Sequence, residues 1–151
     1  MGSEDLRATL ESLFASQRLA VLATQGGGQP HTSLVAFAAT DDLRHLIFAT
    51  ERDTRKFANL IADPRVALLV DDRSHRETDL VEATAMTAAG RAREAQGEER
   101  ERLAALLLRK HPALAPFVAE PGCALVTITV EVYQVVTRFQ SVVEFCPASY
   151  T

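Results

Sequence analysis

The sequence predicts a mainly β protein of the α+β class: an antiparallel barrel of about six strands with helices at its edges. Short apolar or alternating runs recur along the chain and are separated by turns rich in glycine, aspartate and proline. Only a few segments have the spacing of amphipathic helices. Residues 124–145 are rich in the β-branched and aromatic residues that favour strands. A length of 151 residues suits one domain, so we expect a single domain over residues 1–151.

The first half of the chain predicts a helix followed by a meander of strands. Apolar residues at helical spacing behind Ser3, a candidate N-cap, predict a helix to about residue 16. Strands are predicted over residues 18–24, 31–39, 45–50 and 65–70. A glycine-rich turn at 25–29 and an aspartate turn at 40–42 separate the first three.

The second half predicts one long helix and the strands that complete the barrel. In order, it predicts a polar loop at 71–79, a strand at 83–94, a helix at 98–110, a helical turn through 114–117, and a long bent strand or hairpin at 124–145. Gly90 marks a bend within its strand, and Pro112 ends the long helix.

Composition excludes several classes of function. The net charge is −4 with interspersed signs, and tryptophan is absent, so a nucleic-acid binder is not expected. No apolar run has the length of a membrane span and no signal-peptide pattern begins the chain, so we expect a cytoplasmic protein. Cys123 and Cys146 lie outside any zinc-binding pattern and are expected to be buried thiols. The histidines lack metal-ligand spacing, so no metal site is predicted.

The residues with the clearest chemistry lie where an apolar strand ends and a short helix begins. They are Thr50, Thr54, Arg55 and Lys56. Thr54 is a natural N-cap, but cations in the first turn of a helix oppose its dipole. A bound phosphate would reverse that penalty, because helix amides, hydroxyls and both cations would converge on it. The alternative is an ordinary capped surface helix with two solvated cations.

Several motifs in the first half of the chain occur in a specific order. They are QPHTSLVAF at 29–37, IFAT at 47–50, TRK at 54–56, NL at 59–60 and DPRVAL at 63–68. Together they resemble the FMN-binding split-barrel family related to pyridoxamine 5'-phosphate oxidase. Residues 136–140 are similar to a closing strand of related members.

This resemblance implies where a flavin would bind. The flavin phosphate would be held by Thr50, Thr54, Arg55 and Lys56. The isoalloxazine edge would meet main-chain groups of Ser33, Leu34, Val35 and Ala36. The resemblance further implies a homodimer with the flavin at the subunit interface. From the partner subunit, the flavin would be reached by Arg73, Ser74 and Gln140.

Two departures from the family pattern concern the cofactor and the substrate. Residues 31–33 stand where the family's strand often carries an arginine, which leaves fewer cations for the cofactor. The terminal segment 143–148 lacks the tryptophan and arginine with which true pyridoxamine 5'-phosphate oxidases bind the phosphate and ring of their vitamin substrate. The resemblance implies an FMN-dependent oxidoreductase, and the departure in the terminal segment leaves its small substrate unidentified. No side chain is nominated as acid or base, because hydride transfer at flavin N5 requires geometry more than a titrating group.

Other functions are compatible with the same sequence. Relatives on this fold could use a deazaflavin coenzyme or haem in place of FMN. A non-catalytic module could bind flavin to store it or to report redox state. A split barrel without a cofactor could serve as a dimeric interaction domain, since fold does not imply function.

Overall fold

The structure, a computed structural model, describes residues 2–138 and 141–147. Within these residues seven strands form one antiparallel sheet: β1 (Leu19–Gly26), β2 (Gln29–Ala39), β3 (His45–Glu51), β4 (Arg65–Asp71), β5 (Ala85–Glu94), β6 (Cys123–Thr137) and β7 (Ser141–Phe145). The helices are α1 (Ser3–Ser16), α2 (Arg55–Ala62), α3 (Asp79–Glu82), α4 (Gly97–Lys110) and α5 (Ala115–Ala119), and a 3-10 turn spans Pro112–Leu114.

The sheet closes into a barrel. Its strand order is β3-β2-β1-β4-β5-β6-β7, and an additional pairing of β3 with β6 joins the two sides. Six strands thus form the closed barrel and β7 extends the sheet beyond β6, which confirms the predicted six-stranded antiparallel barrel with peripheral helices. The predicted bend at Gly90 is a register shift opposite β6, where a Cβ would overlap the Thr129 carbonyl oxygen.

The hairpin between β1 and β2 is longer than predicted. Gly27 and Gly28 both have positive φ, 57° and 83°, as a two-residue hairpin turn of type I′ requires. Because two glycines suffice for the turn, Gln25, Gly26 and Gln29 are left to pair across the strands. The predicted turn at 25–29 therefore shrinks to its two central glycines.

One end of the barrel is covered by α1. Its buried face consists of Leu6, Leu10, Leu13 and Phe14. The Phe14 ring lies 5.8 Å from those of Phe37 and Tyr133, and the Tyr133 hydroxyl donates a 2.7 Å hydrogen bond to the Leu43 carbonyl. The helix begins differently from the prediction. Ser3 is already helical and Gly2 is the N-cap, without a side-chain capping bond.

The outer surface of the barrel has two halves. A second apolar cluster packs α4 and α5 onto β2, β3 and β6, with Leu103, Leu107 and Leu125 at its centre. The outward residues of β1, β2 and β4 form what we call the bare face: Leu19, Val21, Ala23, Leu34, Ala36, Ala67 and Leu69. On this face Leu19 is 52% exposed and Leu34 is 64% exposed.

Two smaller features also differ from the prediction. The polar loop after β4 contains α3, whose four residues are too few to give a helical pattern in the sequence. Cys123 is buried as expected, but Cys146 is exposed, so the expectation of two buried thiols is wrong for Cys146. Cys146 lies just beyond β7, the strand outside the closed barrel, where less of the fold surrounds it.

Candidate functional site

A cavity of about 320 Å³ lies where β2 and β3 meet the start of α2. It is lined by Leu34, Val35, Ala36, Ala49, Thr50, Glu51, Thr54, Lys56, Leu114 and Phe117. The structure therefore brings together six of the predicted site residues, from both the strand and the helix start. Arg55 is exposed beside the cavity, and Ser33 precedes its strand wall. A volume of this size is at the lower end of the range for small-molecule sites.

The hydroxyls of Thr50 and Thr54 lie next to each other at the N-terminus of α2. Thr54 is the N-cap of α2, as predicted, and its hydroxyl accepts a 3.3 Å hydrogen bond from the Phe57 amide. The same hydroxyl donates to the Glu51 carbonyl at 2.9 Å and lies 3.1 Å from the hydroxyl of Thr50. The amides of Arg55 and Lys56 precede the first intrahelical hydrogen bond, so the helix start presents free donors.

Arg55 and Lys56 lack ion-pair and hydrogen-bond partners among the described residues. The first turn of α2 also contains no acidic side chain. Most other helix starts in the chain follow the opposite rule, with acids in the first turn of α1, α3 and α4. Two adjacent cations at a helix N-terminus are unfavourable unless an anion is present. The arrangement is therefore suited to a phosphate or another compact anion.

Helix α2 is held in place over the barrel end by polar contacts. The Asn59 amide donates to the Thr24 hydroxyl at 3.1 Å, and Gln25 donates to Asp63 at 2.5 Å beyond the helix. Gly26 allows the close approach, since a Cβ there would lie 2.5 Å from the Asn59 side-chain oxygen. The neighbouring Arg65 guanidinium strongly lowers the pKa of Asp63, which keeps this anchor ionised.

Ser33 and His31 carry buried polar atoms without a partner among the described residues. These atoms are the Ser33 hydroxyl and His31 Nδ1. The two residues alternate with Thr32 and share the face of β2 that also carries Val35 of the cavity wall. A buried hydroxyl without a hydrogen bond costs about 1–3 kcal/mol, so a ligand acceptor here would be favourable. The sequence analysis missed His31, although strand alternation placed it on the face of Ser33.

The sequence analysis also missed two residues that line the cavity but lie outside the motifs shared with the flavin-binding family. Leu114 lies in the 3-10 turn and Phe117 in α5, far along the chain from β2 and β3. Both are apolar residues in short helical turns, and their sequence pattern indicates only core packing. They are brought to the cavity because α4 and α5 fold back across β3.

Arg73 and Ser74 lie away from this cavity. Arg73 borders a second cavity of about 630 Å³ on the bare face, together with Arg18, Leu19 and His75. Its guanidinium pairs with Asp71 at 2.7 Å. Leu34 lines both cavities and is the residue that links them. The contact of Arg73 and Ser74 with a partner's flavin stays a prediction, and Gln140 lies outside the described residues.

The loop that carries Ser74 is fixed by Asp79. Its carboxylate accepts hydrogen bonds from the amides of Ser74, His75 and Arg76 and from the Ser74 hydroxyl. These donors lower the pKa of Asp79 to about 2. The loop therefore supplies its own anion for its backbone donors.

Two further observations limit the chemistry. Among the described residues no group of three or more His, Cys, Asp or Glu side chains is placed to hold a metal ion. No helix in the described ranges is long and apolar enough to cross a membrane.

The cavity beside the start of α2 is lined by one cation, two hydroxyls, one carboxylate and six apolar residues. This composition suits a ligand with an anionic end and a flat apolar body.

Comparison with known proteins places these features in a family. The family model described as pyridoxamine 5'-phosphate oxidase matches residues 6–136. A 5a,11a-dehydrotetracycline/5a,11a-dehydrooxytetracycline reductase from Streptomyces rimosus subsp. rimosus is 38% identical over 96 residues, which cover 60% of this chain and 67% of the reductase.

Solved structures share the fold at low sequence identity. A heme binding protein from Mycobacterium smegmatis has a TM-score of 0.84 and 19% identity, and the match covers 95% of this chain and 59% of that protein. A FAD-binding protein from Mesorhizobium loti has a TM-score of 0.63 and 21% identity, with 85% and 91% covered. The chain thus spans about three fifths of the length of the first of these structures. From the match of residues 6–136, the chain belongs to the pyridoxamine 5'-phosphate oxidase family.

Proposed function

We propose that this protein is a homodimeric, FMN-dependent oxidoreductase that binds the flavin in the cavity between β2, β3 and the start of α2. The observation that carries the proposal is a pair of cations, Arg55 and Lys56, which have no partner in the described part of the chain and lie at a helix start beside two hydroxyls. Family membership and the reductase relative support redox chemistry. The substrate is a small molecule whose identity the site does not specify.

The helix start would hold the phosphate end of the cofactor. The amides of Arg55 and Lys56 can donate to phosphate oxygens, and the Thr54 hydroxyl lies at the same point. The two side-chain cations add charge-assisted hydrogen bonds.

The strand side would hold the ring. Leu34, Ala36 and Ala49 offer small apolar surfaces, and Leu114 and Phe117 close the opposite wall. Such walls exclude water from the ring, while main-chain groups of β2 can meet its polar edge. A bound flavin supplies the electron transfer itself, and the protein supplies binding, orientation and electrostatics.

Flavin suits this cavity better than haem does. A haem iron is usually ligated by His, Cys, Met or Tyr. None of these occurs among the described residues that line the cavity. The heme binding protein of similar fold is 19% identical, which supports a shared architecture only.

The bare face supports the homodimer. It presents Leu19 and Leu34 to solvent beside half-buried Val21 and Leu69, and such contiguous apolar patches commonly mark protein interfaces. A second copy packed there would border the cavity through Leu34 and would bring its own Arg73 and Ser74 towards it. The loop fixed by Asp79 could then contact the flavin without further ordering.

The test is the absorbance spectrum of the purified protein, followed by titration of the cofactor-free protein with FMN, a deazaflavin and haem in parallel. A flavin spectrum, or saturable binding of FMN at one site per chain, is expected. Binding of the deazaflavin or haem alone would refute the FMN assignment. Oxidation of NADH or NADPH by the loaded protein would then separate an oxidoreductase from a flavin-storing or redox-sensing module.

A further inference from the structure

The chain contains only two lysines, Lys56 and Lys110, among its sixteen basic residues. Lys110 is the last residue of α4 and lines a cavity of about 570 Å³ between α1, α4 and the turn after β2. Most of the wall is apolar and includes Phe14, Ala15, Leu43 and Leu106. This cavity shares no lining residue with the proposed flavin cavity, so the two sites can be tested separately.

The Lys110 amine is held at the wall by two contacts. Its Nζ donates a 2.7 Å hydrogen bond to the Phe14 carbonyl oxygen, at the end of α1. It also lies 3.8 Å from the centroid of the Phe37 ring. A neutral amine can still donate a hydrogen bond to the Phe14 carbonyl, and it also has a free lone pair that can act as a nucleophile. The position of the nitrogen is therefore fixed in either protonation state.

The surroundings act on the protonation of the amine in both directions: the face of the Phe37 ring favours the cation, whereas burial and a nearby cation favour the neutral form. Burial, and to a lesser extent the Arg18 guanidinium, lower the pKa of Lys110 to about 8. The other charged or titratable groups around it are Arg109 beside it on α4, His111 after it, Glu11 on α1 and Asp41 in the turn. Of the two acids, Glu11 already pairs with Arg7 at 2.8 Å. A desolvated lysine near another cation is the usual setting of a nucleophilic amine.

We propose that Lys110 is a covalent carbonyl-binding residue, which forms an imine with a small apolar or aromatic aldehyde that enters this cavity. The Nζ lone pair attacks the carbonyl carbon and forms a C–N bond, while the carbonyl π electrons move to oxygen. The nitrogen then loses its two protons to that oxygen, which leaves as water. No oxidant or reductant takes part, and the reaction is reversible by hydrolysis.

The ligand class follows from the cavity. Six of its lining residues are alanine, leucine or phenylalanine, so an apolar body is favoured over a sugar or a polar acid. Phe14 adds aromatic surface to the lining, which suits an aromatic aldehyde. Benzaldehyde is therefore a suitable probe.

The test is reductive labelling of the whole protein with benzaldehyde and sodium cyanoborohydride, followed by peptide mass mapping. Cyanoborohydride reduces any imine to a stable secondary amine, and mapping separates Lys110, Lys56 and the N-terminal amine. At pH 7.5 Lys110 is expected to react on the order of tenfold faster than Nα-acetyl-lysine amide, because a far larger fraction of its amine is unprotonated and its lower basicity removes only part of that advantage. Its labelling rate should rise most steeply near pH 8.

A matched pair of variants tests whether the cavity directs the reaction. Ala15 is exposed on α1 and lines the cavity, so Ala15→Leu should narrow it, while Ala15→Ser keeps its size. The leucine variant should slow labelling of Lys110 several-fold and leave Lys56 unchanged, and the serine variant should behave as the wild type. Labelling of Lys110 no faster than the free amine, or equally fast in both variants, would overturn the proposal. Lys110 would then only cap the end of α1.

Discussion

The two halves of the outer barrel surface are both apolar but are used differently. Over β3 and β6, α4 covers the sheet and buries Leu103 and Leu107 to 3% and 0% exposure. On the bare face, Leu19 and Leu34 stay more than half exposed. The chain thus covers one half with its own helix and leaves the other exposed. Strand alternation gives the same pattern in both cases, so the pattern alone does not say what covers a sheet.

The proposed flavin cavity lies on the border between these halves. Leu34 and Ala36 belong to the bare face, whereas Ala49, Leu114 and Phe117 belong to the covered half. A site on this border depends on packing within the chain on one side and, in the proposed dimer, on association on the other. Variants at the border and in each half should therefore affect different measurements.

The largest effect is expected at the border. Replacing both Arg55 and Lys56 with alanine removes two charge-assisted contacts to the phosphate, each worth about 1.5–3 kcal/mol. FMN affinity should fall about 100-fold or more, measured by fluorescence titration. Arg91→Ala with Arg102→Ala removes the same charge at exposed positions and should leave affinity nearly unchanged. Unchanged FMN affinity in the first variant would refute the phosphate assignment.

In the covered half, Leu107→Ala should destabilise the protein. Leu107 is fully buried between α4 and the sheet, and such truncations cost about 2–5 kcal/mol. Urea denaturation should show a lower midpoint with a similar slope. Leu106→Ala is the matched control, because Leu106 is only partly buried and should cost less. Equal losses for the two variants would contradict the packing described for α4.

On the bare face, Leu19→Glu should weaken association more than folding. The carboxylate would lose its water in the dimer but would stay solvated in the monomer. The dimer dissociation constant should rise about 10- to 100-fold, measured by sedimentation, while the monomer loses about 0.5 kcal/mol or less. Leu80→Glu is the control, since Leu80 is 61% exposed on α3 and lies off the sheet. If wild type is monomeric at all concentrations, the bare face has another role.

The smallest effect is expected from Lys110 and concerns pH. Its pKa in the folded state is about 8, below the usual value for lysine, so the folded state binds fewer protons than the unfolded state above that pH. This group therefore makes the free energy of unfolding rise with pH above about 8. The measurement is the difference between wild type and Lys110→Met from pH 8 to 9.5. Cys123 and Tyr133, whose pKa values are raised by burial, contribute equally to both proteins and cancel. A difference that stays constant with pH would contradict the lowered pKa.

The parts of the site that sequence could predict are those with local signals. Thr54 and its neighbours form a cap at a strand end, and that chemistry is contained in a few consecutive residues. The strand wall in β2 was assigned from the resemblance to the flavin-binding family and not from a local pattern. Leu114 and Phe117 could not be assigned, because only tertiary packing brings short helical turns to a distant strand.

In the fold, too, the features with local sequence signals were predicted and those without them were not. Strand positions and the closed barrel came from alternating runs and turns, with errors mainly at strand ends. The turn at Gly27 and Gly28 is tighter than composition suggested, since neighbouring polar residues in a turn-like segment can also pair as strand. The separation of 124–145 into β6 and β7 remained ambiguous because the sequence there contains no glycine, proline or asparagine to mark a turn.

Strand β6 has a consequence for the order of folding. It pairs with β3, β5 and β7, and its partner β3 is far away along the chain. Pairing of β3 with β6 closes the barrel and therefore also closes a long loop of intervening chain. The conformational entropy lost in closing this loop slows folding. During synthesis, β1 to β4 emerge while the strand that closes the barrel is still missing. The walls contributed by Leu114 and Phe117 also emerge after β1 to β5, so the nascent chain should become able to retain a cofactor only once these residues have been synthesised.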